Sequence, residues 1–435
     1  MAGKGDAETD AGGRLDERAD EARRVESEPR LWRRLRRLPR NVFSISLVSL
    51  FNDASSEIIY PVLPLFLALT LGASRAEIGL IEGAAESLSG FLKLFSGYFS
   101  DRRGRRKGMV VFGYGLASVA RPLVGFATRW PQVFAIRMAD RFGKGVRSAP
   151  RDAMIADAAA PAERGLAFGF HRAMDHAGAV IGPLIAYAVL SYLTAGSGLP
   201  TAENYKTLFL LAAVPALFAV LVAIFAVRET GHAALAADAP RPAPPRLTLR
   251  GFDSNFKRFL LLIALFTLSN SSDAFLILRA QQAGVSVALV PLVWAALHAS
   301  KVASSVLGGD LSDRLGRKTM IVAGWVLYAA VYLAFSSIST PAEAWILFLV
   351  YGVYFGMTEG TEKALVADLV RPEQRGTAYG LYNLAISITV LPASLLMGWL
   401  WDWRGAPTAF GVSAAIGLTA ALLLSLTVRP SGRQG

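Results

Sequence analysis

The sequence contains no cysteine. Disulfides, thiolate metal sites and a cysteine nucleophile are therefore excluded. Histidine is nearly as scarce, with four in 435 residues. Charge is low: 18% of residues are charged, where an ordinary soluble domain carries about 25%. There is no glycine loop of the nucleotide-binding kind and no clustered set of metal ligands. An enzyme, an ATP-driven pump, a metal and a cofactor are all unexpected on these grounds. What remains is apolar, with 53% hydrophobic residues and a mean hydropathy of +0.40. Apolar runs long enough to cross a bilayer as helices, about 20 residues each, recur along the chain; 207–227, 319–337 and 407–427 are clear cases. The pattern is that of a multi-pass membrane protein surrounded by lipid, without a large soluble domain.

Twelve spans are expected, at 42–70, 76–99, 108–128, 131–157, 168–193, 207–227, 258–280, 285–308, 319–337, 343–366, 377–400 and 407–427. Residues 1–40 are polar, mixed in charge and without apolar periodicity, so they read as a disordered tail. The tail ends in RLWRRLRRLPR, 30–40, just before the first span. Basic residues flanking spans favour the cytoplasmic side, which places both termini there. The first apolar run starts too late and is too long for a secretory signal. The net charge of +12 could point to nucleic acid. Its position decides against that: RRGRRK at 102–107, the turn at Arg164, the linker and the turn at Arg314–Lys318 all fall on one side. The domain plan is a tail 1–40, a six-helix bundle 41–228, a proline-rich cytoplasmic linker 229–257, a second six-helix bundle 258–428 and a short cytoplasmic tail 429–435.

The two halves repeat. GYFSDRRGRR at 97–106 matches GDLSDRLGRK at 309–318, an offset of 212. DAMIADAAAPAERGLAFG at 152–169 matches KALVADLVRPEQRGTAYG at 363–380, an offset of 211. Two matches at nearly one offset imply parallel repeats about an axis along the membrane normal. Here the sequence resembles the major facilitator superfamily, over nearly all of the chain after residue 40. That family's loop signature is matched by Gly97, Asp101, Arg102, Gly104, Arg105 and Arg106, and again by Gly309, Asp313, Arg314, Gly316, Arg317 and Lys318. The resemblance implies an all-α membrane protein of twelve transmembrane helices in two pseudo-symmetric six-helix bundles, working by alternating access. The loops would act as gates, their arginines bonding a neighbouring helix end.

The stretch RMADRFGKGVRSAPRDAMIAD, 137–157, tests the reading, because it carries eight charges in what should be the fourth span. At about 100° per residue, Arg137, Asp140, Arg141, Lys144, Arg147, Arg151 and Asp152 share one face of a helix. A charge at the bilayer centre costs about 2.5–3.5 kcal/mol, against about 0.3–0.6 returned by each good apolar residue. These groups cannot face lipid. Its duplicate, 348–368, is mostly apolar, which favours insertion with the charges turned toward a cavity or toward acidic partners. Such partners stand on single faces of the first span (Asp53, Ser56, Glu57, Tyr60) and of the second (Glu82, Glu86, Ser89, Lys93), with Arg121 on the third. The second half is poorer: Asn270 and Asp273, His298 and Lys301, Glu359 and Glu362.

In the resembled family the first, fourth, seventh and tenth helices line the cavity. Candidate substrate and proton-coupling residues are accordingly Asp53, Glu57, Glu86, Arg121, Arg137, Asp140, Arg141, Lys144, Arg147, Asp273 and Glu359. The alternative is a set of fixed ion pairs holding the first bundle together. Gly178, Gly182 and Pro183, in GAVIGPLIA, resemble the family's antiporter element and suit close helix packing. Arg172, Asp175 and His176 are spaced for a local ion pair. Where the family's fourth-helix motif has neutral residues, Lys144 and Arg147 stand instead, which suits an anionic or zwitterionic solute. The expected activity is secondary transport of a small organic solute, proton-coupled efflux first, with uptake or exchange of an organic anion or metal chelate as the alternative. A non-transporting sensor on the same fold is a remote third. The expected setting is the inner (plasma) membrane, as a monomer.

Overall fold

The computed structural model describes residues 38–103, 105–160, 163–195, 199–230, 248–371 and 374–428. The expected N-terminal tail, most of the linker and the C-terminal tail lie outside them. Twelve helical spans follow one another. In the first half they are α1 (Arg40–Thr70), α2 (Arg75–Arg103), α3 (Lys107–Phe126), α4 (Trp130–Ala158), α5 (Arg164–Leu193) and α6 (Ala202–Phe225). In the second they are α7 (Ser254–Gln282), α8 (Val290–Leu315), α9 (Arg317–Ser337), α10 (Pro341–Asp368), α11 (Arg375–Arg404) and α12 (Ala406–Thr427). No strand occurs among the described residues. Eight of the spans are long and apolar enough to cross a membrane by composition alone. The other four are α2, α4, α8 and α10. Thus α10, read from sequence as the mostly apolar duplicate of α4, is itself diluted by tyrosines and by Glu359 and Glu362.

Most span ends fall within a few residues of expectation. α8 is the exception, at Val290–Leu315 rather than 285–308. Pro291 in its first turn and Gly316 at φ +91° after its last residue set those limits. Hydropathy does not see either signal. The loop motifs also shift: residues 97–103 and 309–315 are helical, and the true turns are only the few residues beyond them.

α1 and α7 are both interrupted. α1 leaves regular helix at Tyr60–Val62 and ends in a π-helical segment, Phe66–Thr70. α7 opens at Asn270–Asp273. The two breaks sit about 211 residues apart, the repeat offset. Backbone freed within a membrane must find partners in the protein. In α7 it does: Tyr328 donates its hydroxyl to the Ser269 carbonyl at 2.6 Å, and the Ser272 N–H reaches Ser394 Oγ at 3.3 Å.

Small residues set the helix packing, as expected where lipid removes the hydrophobic drive between helices. A Cβ at Gly178 or Gly182 of α5 would lie 2.4 or 2.5 Å from the Leu50 or Ala54 carbonyl of α1. Gly113 of α3 and Gly143 of α4 meet just as closely, a Cβ on either falling 2.5 Å from the other's carbonyl oxygen. Between the halves, α2 lies on α11: Gly79, Gly83 and Gly90 face Ser394, Leu391 and Ser387 without room for a methyl group. That seam begins where Asp402 accepts the Arg75 and Ala76 N–H groups at 3.1 and 2.8 Å, and runs to the Ser87–Ser387 bond at 2.6 Å. It therefore covers the half of the membrane away from the loop motifs. A single apolar cluster spans both halves at that far face, with Ile58, Leu63 and Phe66 against Phe275, Leu278 and Trp401.

Candidate functional site

A cavity of about 380 Å³ lies between the two halves. Its deep end is walled by Tyr60, Val124, Ile136 and Trp294, and its other end reaches Lys93, Asp152 and Arg172 near the motif face. Eight basic and six acidic side chains line it. Nearly all come from the first half; Trp294 and His298 of α8 are the contribution of the second.

The charged face of α4 forms one long wall. At the deep end, one Arg137 nitrogen donates to both Glu82 oxygens, at 2.9 and 2.7 Å, with Tyr60's ring below the guanidinium. One turn on, Asp140 accepts from Arg121 Nε of α3 at 3.0 Å and lies 3.6 and 3.7 Å from Arg137 and Arg141. Arg121 also donates to the Asn52 carbonyl of α1 at 2.9 Å. Arg147 stacks over Tyr114 at 4.4 Å and reaches Gly113 O and Asn52 Oδ1, both at 3.3 Å. These three arginines tie α1, α2, α3 and α4 together. Arg151 pairs with its neighbour Asp152 at 2.8 Å.

Arg141 and Lys144 are held more loosely. Arg141 Nε is 3.2 Å from Glu86 but is not aligned to donate to it, and Lys144 is 4.0 Å from the same carboxylate. The Glu86 and Lys144 side chains are 41% and 43% exposed, the most open pair on this wall. Here an ion can be exchanged without dismantling the bundle.

Glu57 stands apart. Its carboxylate accepts the Trp294 indole N–H at 2.8 Å, from α1 to α8 across the two halves. Among the described residues it has no cation within 4.0 Å. Tyr60 packs on the same indole, ring centres 5.2 Å apart. Asp53 accepts from Asn52 at 2.8 Å and likewise has no ion pair. In the second half, Asp273 lies in the α7 break rather than on a helix face, and takes the Tyr351 hydroxyl at 2.8 Å. Glu359 is 63% exposed and, among the described residues, pairs only with Lys363, at 3.8 Å. The buried tenth-helix carboxylate is Glu362, bonded by Trp325 and Tyr382 at 3.0 and 2.7 Å. On α5, Arg172 lies 3.8 Å from Asp175 as its spacing suggests, but the histidine beside Asp175 is His171, not His176.

Trp294, Tyr351, Trp325 and Tyr382 carry no sequence signal of these roles, since an aromatic on a membrane helix reads as lipid-facing or core. Their polar tips carry the information, and only neighbours reveal where those tips end.

The loop motifs pair in the same way in both halves. Arg106 is ion-paired with Asp157 at the end of α4, and Arg317 with Asp368 at the end of α10, at 2.6 Å. The aspartates are repeat equivalents at the offset of 211, while the arginines differ by one motif position, Arg317 matching Arg105 and Arg106 matching Lys318; each pair lies within its own half. Arg317 also donates to the Ala364 carbonyl at 2.8 Å, and Lys318 to the Ser425 carbonyl at 2.7 Å. Arg102, Arg105 and Arg314 project outward, and Gly97 lies against Ala149 of α4. Gly104 is outside the described residues; Gly309, Asp101 and Asp313 are helical positions.

The family model of the Major Facilitator Superfamily matches residues 45–388 and, in a second alignment, 259–435. The chain belongs to this superfamily. An MFS-type transporter of Methanocaldococcus jannaschii is 34% identical over 376 residues, 84% of this chain and 89% of that one. The multidrug resistance protein MdtH of Shigella flexneri serotype 5b is 33% identical over 138 residues, 30% of this chain and 34% of that one. Among solved structures, the inward-facing, unoccupied bacterial homologue of the human lysosomal transporter Spinster superposes with a TM-score of 0.67. It is 17% identical over 89% of this chain and 94% of that one, which is a likeness of fold. This superfamily member is thus a multi-pass membrane transporter and not an enzyme.

Proposed function

We propose that the protein exports a small organic solute across the plasma membrane in exchange for protons, with Glu57 as the proton-carrying group. The observation that carries this is the Glu57–Trp294 bond. A carboxylate that joins the two moving halves, and that has no cation against it, can change its charge and its partner in one event. Glu82 of α2 and Asp140 of α4 are held by arginines and are poorly suited to the task. On this reading the motif face is cytoplasmic, following its basic loops. The shape described here, sealed at the far face and open toward the motifs, is then inward-facing, a form that the Spinster homologue also takes. The partial likeness to MdtH and the Gly178–Gly182–Pro183 element of α5 both favour export.

The test uses purified full-length protein in proteoliposomes with a pH-sensitive dye in the lumen. A panel of neutral, anionic and cationic aromatic compounds is applied with and without an imposed pH gradient. Export predicts that a gradient acidic on the far side drives solute toward that side, and that nigericin abolishes the drive. Glu57→Gln is expected to stop gradient-driven flux while sparing solute counterflow. A wild-type flux indifferent to the gradient, or a Glu57→Gln variant that still concentrates solute, rejects proton coupling through Glu57. The opposite gradient sign turns the reading to uptake.

A further inference from the structure

One face of α8 carries Trp294, His298 and Lys301, at i, i+4 and i+7. Trp294 and His298 line the cavity. The Lys301 ammonium sits 3.4 Å above the Phe355 ring of α10 and 6.0 Å from the Trp294 ring. Among the described residues no carboxylate lies within 4.0 Å of it. Glu57, Asp273 and Glu359 are close enough to act on it through space, but none makes contact. A single ring face offsets only part of the cost of desolvating an ammonium between helices. His298 Nε2 is buried without a hydrogen-bond partner among the described residues, while its ring lies edge-on against Trp294 at 5.2 Å. His176 of α5 lies within electrostatic reach of both His298 and Lys301. Two basic side chains, His298 and Lys301, thus stand on the second-half wall with His176 of the first half near them, and His298 lines the same cavity as the loosely held Lys144.

We propose that this α8 face is the second half of the solute site and takes an anionic group, a carboxylate, sulfonate or phosphate monoester, whose charge is shared with Lys144 across the cavity. The proposal rests on the transport reading only in treating the cavity as the solute site; it does not require proton coupling. An anion between Lys144 and Lys301 supplies Lys301 with the counter-charge that no described carboxylate within 4.0 Å provides, and gives Lys144 a second one besides Glu86, 4.0 Å away. It also attracts the two walls toward one another, which is the direction of closure at the motif face. A neutral solute supplies neither effect, and a cation opposes both.

The test is equilibrium dialysis with full-length protein in nanodiscs, at neutral pH and without a gradient. The probes share one ring system: 1-naphthoate, 1-naphthalenesulfonate and 1-naphthyl phosphate, with neutral 1-naphthylmethanol and cationic 1-naphthylmethylammonium as comparisons. At least one anion is expected to bind saturably and more tightly than both comparisons. Lys301→Gln should weaken that anion tenfold or more, the loss of one charge-assisted contact, and Lys301→Arg should retain most of the binding. Lys144→Gln should weaken it separately. Monodisperse elution of each variant, together with binding by Lys301→Arg, separates a lost contact from a lost fold. The proposal is overturned if none of the three anions binds, if the cation binds best, or if Lys301→Gln binds as wild type. Loss of anion binding in Lys301→Gln alongside intact gradient-driven flux in Glu57→Gln would retain this site and reject the proton reading.

Discussion

At the scale of single residues, two kinds of charge share the cavity wall. Glu82 and Arg137 are both buried, and one nitrogen serves both carboxylate oxygens. Removing one partner leaves an uncompensated charge in the bundle, a change that costs about 3–5 kcal/mol in buried pairs. Glu82→Leu is therefore expected to lower the thermal unfolding temperature of the purified protein sharply, and the double variant Glu82→Leu/Arg137→Met to recover most of the loss. Equal stability of Glu82→Leu and wild type would show that the pair does not hold the bundle. Glu57 is the other kind. Trp294→Phe keeps the ring against Tyr60 but deletes the N–H that bonds the carboxylate, an interaction worth about 1.5–3 kcal/mol when one partner is charged. Because that bond joins the halves near the sealed face, its loss should shift the population toward the far-face-open shape by roughly tenfold or more. A spin-label pair across the outer ends of α2 and α11 would read the shift, and the absence of native cysteine makes such labelling clean. Sequence periodicity put the acidic faces of α1 and α2 opposite the basic face of α4 by sign. It could not match partners, because sign complementarity leaves many pairings open and the choice depends on helix rotation. For Glu57 it offered the basic face of α4, whereas the donor is an uncharged indole from the other half of the chain.

At the scale of helices, the seam between α2 and α11 is the closest approach between the two halves. Gly83 faces the Leu391 backbone, and a Cβ there would come within 2.9 Å of Leu391 Cα; at Gly79 it would come within 2.2 Å of the Ser394 carbonyl. A backbone obstacle cannot rotate away as a side chain can. Gly83→Leu is expected to wedge the far face open while leaving each bundle intact, because the clash lies between halves and not within one. The expected outcome is a folded protein with label distances shifted outward at the far face and net flux reduced by an order of magnitude or more. Unchanged flux would mean that the seam has slack. The helices themselves were largely readable from hydropathy, and the repeat recovered the charged α4, which composition alone does not mark as a span. Less visible were the breaks in α1 and α7. Pro61 hints at the first; the second, Asn270–Asp273, depends on hydroxyl partners, the Tyr328 donor of α9 and the Ser394 acceptor of α11, that no local pattern encodes.

At the scale of the whole molecule, the asymmetry of the two halves suggests a division of labour. The first half holds its charges in a dense arginine–carboxylate lattice across four helices. The second presents few charges, and its inward carboxylates Asp273 and Glu362 are met by tyrosine and tryptophan donors. A lattice of charged pairs resists internal rearrangement, so the first half is expected to move as a rigid unit, with relative motion concentrated at the inter-half contacts. Those contacts at the far face can be fixed deliberately. Asp402 of α11 reaches the Ala76 N–H of α2 at 2.8 Å, so Ala76→Cys and Asp402→Cys, joined by oxidation or a short thiol cross-linker, would hold that face shut. Cross-linked protein should lose net transport and counterflow alike, since both require the far face to open. Access of small thiol reagents to a cysteine placed at Lys93, on the motif side of the same cavity, should be unaffected, and reductant should restore flux where oxidation formed the link. If transport survives the cross-link, the far-face seam is not a gate, and the solute must leave by a route that does not separate α2 from α11.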